Sequence, residues 1–267
     1  MRPFCQLLAL SCVLSIVSVA TAWAEPIVCD LRTTTSSCTI NGGIFSVFEV
    51  HPAGTGVIDS FVRVQEKDTE QGYNTSYRPV QFDEKTDPNH TRDLQVSELG
   101  SVMIGTTAYA AFYLDINEPA GGGKEFLTLD QLELFTTNSP MRTGYVGTAN
   151  TPDGSLPGTT KVYDLDATGD NYVQLDYNRI GKGSGSSDLV FYYPIAAFTG
   201  TYVNLFSQFG NIDGSANKFT SEAGFEEWFA LQRSVSISEI PEPGTLTLLG
   251  GGLLGLARRY KRRAQSL

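Results

Sequence analysis

Hydrophobic residues along this chain come in short, punctuated runs. Phe61 to Gln65, Lys161 to Leu165 and Tyr172 to Tyr177 alternate apolar and polar residues, the period of a half-buried strand. Residues 44–50, 102–104, 109–116, 126–129, 131–135, 189–193, 202–206 and 234–237 are rich in β-branched and aromatic side chains, with Gly, Pro, Asn, Asp and Ser between them. Helical spacing sustained over about 11 residues is rare. The best candidate is 221–232, where Phe225, Trp228, Phe229 and Leu231 fall on one helical face. Ser221 stands at its N-cap, and Glu222, Glu226 and Glu227 crowd its positive end. A second, weaker candidate is 194–198. The pattern predicts an all-β fold, a β-sandwich of jelly-roll or Ig-like type with one short helix; a closed barrel is the alternative. The polar stretch 66–93 reads as a long excursion. The Gly/Thr/Pro-rich stretch 140–160 reads as the divider between two halves of the domain.

The ends depart from this pattern. Arg2, the apolar run Leu7 to Val19 and the small-x-small triplet Ala22-Trp23-Ala24 have the layout of a signal peptide, predicting cleavage by signal peptidase after Ala24. The apolar run is shorter than the ~20 residues of a spanning helix. A lipoprotein reading at Cys12 is the alternative, but Ala9-Leu10-Ser11 is a poor lipobox. At the other end, Pro241-Glu242-Pro243 holds an extended backbone. A 14-residue apolar segment follows at 244–257, then Arg258, Arg259, Lys261, Arg262 and Arg263, which favour the cytoplasmic face.

Those three parts, in that order, resemble the sorting signal of PEP-CTERM proteins. The resemblance implies recognition by exosortase, a membrane cysteine protease, in a Gram-negative bacterium that makes exopolysaccharide. It implies transient insertion of 244–257 in the inner membrane before delivery to the cell surface or medium. The expected organisation is a signal peptide at 1–24, a β-sandwich domain at 25–240 and a sorting tail at 241–267, with its membrane segment at 244–257 and basic end at 258–263. The resemblance concerns sorting and says little about the chemistry of the middle domain.

Roughly 215 residues between the signals can bury a sizeable core. The whole chain has 19 Lys+Arg and 29 Asp+Glu. Setting aside Arg2 and the five basic residues from Arg258 onward leaves 13 basic against the same 29 acidic residues, a net charge of −16. That opposes a nucleic-acid partner, which needs a basic face. Cys29 and Cys38 are the cysteines left after cleavage, and an oxidising compartment favours a disulfide between them over two free thiols.

Candidate chemistry is sparse. Two histidines, His51 and His90, do not make a zinc cluster, and the mature domain has no Gly-x-Ser-x-Gly elbow and no P-loop. Asp164, Asp166 and Asp170, with Thr168 and Gly169, have the spacing that opens an EF-hand calcium loop, so calcium is the one cofactor suggested. Leu175 stands where that loop needs a bidentate carboxylate, and a solvated Asp/Gly turn explains the same residues. Asp115, Asn117, Glu118, Asp130 and Asp188 are candidates for another oxygen-rich site. Tyr192, Tyr193, Tyr202, Trp228 and Phe229 are either a sugar-stacking face or core. The leading expectation is a non-enzymatic surface or matrix protein associated with exopolysaccharide. The alternatives are a carbohydrate-binding module stabilised by calcium and a secreted hydrolase using paired carboxylates.

Overall fold

The short alternating runs become strands in the computed structural model, which describes residues 25–33, 37–47, 60–147, 154–179, 187–210 and 219–231. Among the described residues they are β1 (Val28–Asp30), β2 (Ser37–Ile40), β3 (Gly43–Ser46), β4 (Ser60–Val64), β5 (Lys67–Asp68), β6 (Glu70–Tyr73), β7 (Leu94–Gln95) and β8 (Val102–Ile104). There follow β9 (Thr107–Asp115), β10 (Phe126–Thr137), β11 (Thr160–Asp164), β12 (Tyr172–Asp176), β13 (Leu189–Pro194), β14 (Tyr202–Phe209), β15 (Ser221–Glu222) and β16 (Glu226–Ala230). One sheet runs β1-β12-β10-β14-β6, with β11 also on β10 and β7 on β14. The other runs β2-β3-β13-β9-β16-β4, with β8 on β9. β5 and β15 form a small separate ribbon. The two large sheets stack as the predicted sandwich; β1–β12 is the parallel pairing among otherwise antiparallel ladders.

Alternation decides which side chains meet in the middle. Leu132 and Leu134 of β10, Val203, Leu205 and Phe209 of β14, Phe112 and Leu114 of β9, Phe191 of β13 and Trp228 of β16 all join one buried cluster. The intervening residues build a second layer on each outer face. Tyr113, Val190, Tyr192 and Phe229 cluster outside one sheet. Phe135, Phe206 and Tyr73 cluster outside the other, with Tyr145 and Leu156. The expected sugar-stacking rings are therefore mostly packing residues: Trp228 is fully buried, and Tyr192 and Phe229 are buried. Tyr193 and Tyr202 stay half-buried. Trp228 donates its indole N–H across the sandwich to Ser207 Oγ at 3.1 Å, which satisfies its polar edge.

Four expectations need correction. Residues 221–232 are not a helix; β15 and β16 occupy them. Glu226 and Trp228 point inward while Phe229 stacks on Tyr113 at 5.0 Å between ring centroids, and the ladders to β4 and β9 outweigh local helical spacing. Residues 194–198 hold only a single 3-10 turn, Ile195–Ala197. The supposed excursion 66–93 contains β6, an edge strand of the first sheet. The stretch 140–160 links β10 to β11, neighbours in one sheet, and lays Tyr145 flat on Phe206 at 4.0 Å instead of dividing the domain. The predicted strand 234–237 lies outside the described residues.

Cys29 and Cys38 are joined as expected, with Cα atoms 6.0 Å apart. β1 belongs to one sheet and β2 to the other, so the bond ties the two layers together. Closing so short a loop is worth on the order of 2–3 kcal/mol. Replacing both cysteines by serine is expected to lower the melting temperature by roughly 5–10 °C, read by calorimetry.

Candidate functional site

Glu70, Glu118 and Glu226 each place a carboxylate oxygen within 4.8 Å of the others. Their relative exposures are 1%, 2% and 0%, so the group is sealed inside the protein. It lies where β6, at the edge of one sheet, approaches β4 and β16 of the other. Glu70 pairs with Phe209 and Glu226 with Val64, and both of those partners are core residues. Strand alternation thus drives two acids into positions where the pattern otherwise puts apolar side chains. Glu118 arrives from the loop after β9.

Local structure supports this meeting. The ribbon β5–β15 brings the Glu222 N–H onto Glu118, which accepts from it at 3.0 Å (Oε2) and 3.3 Å (Oε1). Asn117 donates its side-chain amide to the Phe225 carbonyl at 3.0 Å, pinning the Glu118 loop to the start of β16. Gly224 allows the approach: a Cβ there would lie 2.1 Å from the Asn117 carbonyl oxygen. Gly72 does the same on β6, since its Cβ would meet Glu84 at 2.5 Å and Val64 at 2.7 Å.

The electrostatics of the three acids are poorly compensated. Glu70 Oε2 accepts from the Glu66 N–H at 2.9 Å, but Glu70 Oε1 and both oxygens of Glu226 are buried without a well-placed hydrogen bond, facing each other, Ser221 and the Asn117 backbone. Among the described residues, no Lys, Arg or His is ion-paired to any of the three. Desolvation is the main cause of a raised carboxyl pKa in each case. Glu118 is pushed up to about 7, Glu70 upward, and Glu226 well above the ordinary range, with Glu70 adding to the rise. The arrangement can share protons or hold a cation. Its burial keeps a bulky substrate from these acids.

The residues singled out from spacing lie elsewhere. Asp164 is engaged by Lys161 at 2.7 Å and by the Asp166 N–H at 2.9 Å, while Asp166 accepts from the Asn171 N–H at 2.8 Å. Lys161 also bridges to Glu133 at 2.7 Å. Asn41 donates to the Asp164 and Leu165 carbonyls at 3.0 and 2.8 Å. Asp164 and Asp166 are therefore bonded within their own turn, with Lys161 as counterion to Asp164, and the convergent acids are a different set. Of the second group, Glu118 alone joins that set. Asp188 accepts from the Ile116 N–H at 2.9 Å, and Asp130 from Thr128 Oγ1 at 3.0 Å.

His90 Nδ1 lies 3.4 Å from Ser60 Oγ and 3.7 Å from Glu227 Oε1, and its Nε2 lies 3.9 Å from Asp87 Oδ2. Serine and acid thus stand on opposite ring nitrogens, but the acid is beyond hydrogen-bond distance, and Glu227 is engaged by Arg63. His51 is outside the described residues. Sequence reasoning missed Glu70 because it fell in the supposed excursion, and Glu226 because it was assigned to a helix. The alternation of Glu226, Trp228 and Ala230 was the available signal.

The tail is decided by a different observation. A family model for the PEP-CTERM protein-sorting motif matches residues 239–263. The chain carries a PEP-CTERM sorting motif. The motif implies exosortase as the sorting partner and a secreted, membrane-transiting route to the cell envelope. No curated protein and no solved structure matches the chain. Pro241, Glu242 and Pro243, and the cleavage residues Ala22 and Ala24, lie outside the described residues. Among the described residues no helix is long and apolar enough to cross a membrane, and the segment 244–257 is not among them.

The acid cluster predicts a pH response for the metal-free protein. Folded-state values are raised, so the folded chain keeps protons that the unfolded chain releases above about 4.5. This contribution to stability is full below that pH and is lost as pH rises through about 7. Glu222, held down by Lys124, and Asp83, raised by burial, are the other titrating groups facing the cluster. In chelator, the melting temperature is expected to fall between pH 5 and pH 8, and Glu226→Gln is expected to flatten that slope.

Proposed function

We propose that this is a non-enzymatic cell-surface or matrix protein of a Gram-negative bacterium, delivered by its signal peptide, sorted by exosortase and associated with exopolysaccharide. The sorting motif at 239–263 carries the reading. The sandwich in front of it supports the non-enzymatic part. Its conspicuous rings, Trp228, Tyr192 and Phe229, are spent on packing, and its converging acids are sealed. Such a body suits a durable component displayed outside the cell better than a cleft that turns over substrate. The basic tail keeps the short apolar segment anchored at the inner membrane until exosortase removes it.

Fractionation of producing cells tests this. The exported protein is expected to begin at Glu25, to lack Arg258 to Leu267 by intact mass, and to co-sediment with the polysaccharide matrix. Replacing Pro241, Glu242 and Pro243 by alanine should hold it in the membrane fraction with its tail intact. A wild-type exported product that retains the basic tail, or the same distribution in cells that make no exopolysaccharide, would overturn the proposal.

A further inference from the structure

The Glu70, Glu118 and Glu226 cluster concentrates three carboxylates at the sandwich edge without a basic side chain ion-paired to them among the described residues. An isolated buried carboxylate is costly to keep out of water, and three in contact repel one another. A hard cation removes both problems. Oxygens bound to one ion at about 2.4 Å can be no farther apart than twice that distance, and the observed separations of up to 4.8 Å meet this limit. The second observation is the orientation of Glu226: it is fully buried, one of its oxygens lies in the convergent set, and its oxygens face the Glu70 carboxyl and the Asn117 backbone with no basic or hydroxyl side chain bonded to them among the described residues. Glu70 Oε1 is likewise buried without a well-placed hydrogen bond.

We propose that Glu70, Glu118 and Glu226 form a buried binding site for calcium that clamps the edge of one sheet to the other. The ligand set is all oxygen and all carboxylate, which disfavours zinc or copper. Calcium accepts six to eight oxygens with flexible geometry, which three carboxylates able to bind through both oxygens can largely fill; magnesium demands strict octahedral geometry and keeps several waters. The site unites β6, the loop after β9 and β16, segments more than a hundred residues apart in the chain at their extremes, so its energy goes directly into the tertiary fold. It does not depend on the envelope role proposed above, and it is separate from the Asp164–Asp170 turn.

The test uses the exported protein, first stripped with chelator and then titrated with calcium chloride or magnesium chloride. Calcium at about a hundred times its Kd is expected to raise the melting temperature by roughly 5–10 °C, magnesium by less. Elemental analysis after dialysis should find one calcium per chain. Glu226→Gln should melt higher than wild type in chelator and lose the calcium response, while Asp164→Asn should keep it. If Glu226→Gln does not fold, Glu118→Gln serves the same comparison. A wild-type melting temperature unchanged by calcium and chelator, with no calcium retained, overturns the site. So does a response that survives Glu226→Gln and disappears in Asp164→Asn.

Discussion

Face-to-face packing of two sheets is the constraint on which the rest of this protein depends. Each inward side chain loses its water, so each must be apolar or find a partner inside. Leu134, Leu205, Phe112 and Phe191 meet the rule by being hydrocarbon. Trp228 meets it with one hydrogen bond to Ser207. Glu226, two residues earlier on the same face, is not apolar and faces chiefly another acid, Glu70. The same alternation that places Trp228 correctly makes Glu226 conspicuous.

The outer faces obey a milder version of the rule. Residues 140–147 and 154–160 fold over one sheet, and Tyr145 both stacks on Phe206 and donates to Glu133 at 2.7 Å. Glu133 is balanced by Lys161, which reaches Asp164 as well. Burial there raises the Glu133 carboxyl, while Lys161 and Tyr145 draw it back. Two acidic neighbourhoods in one domain are thus treated differently: one is neutralised by a lysine on the adjacent strand, and the other has backbone N–H donors but no ion-paired basic side chain among the described residues.

Much of the architecture was legible in the sequence. The strand around Phe61 announces itself by alternation, those around Tyr109, Leu132 and Leu205 by β-branched and aromatic side chains bounded by turn residues, and the Cys29–Cys38 pair by compartment. Residues 221–232 were ambiguous for a physical reason. Phe225, Trp228, Phe229 and Leu231 satisfy a helical face, and Trp228 and Phe229 also serve two faces of a strand; only the distant ladders to β4 and β9 decide. The acid cluster was illegible for the same reason, because its members come from three separated segments. The Asp164–Asp170 spacing was legible but misleading, and Lys161, three residues before Asp164, is the residue that claims it. The sorting tail was the most readable part because its information is local and linear.

β16 is flanked by β4 on one side and β9 on the other, and among the described residues it is the last strand. A tensile load transmitted along the chain from the sorting end therefore enters the fold through a strand held on both edges. Such a load shears two hydrogen-bonded ladders at once, where an edge strand could be peeled away bond by bond. The chain is gripped most firmly at the point where an attached or tethered surface protein would be pulled.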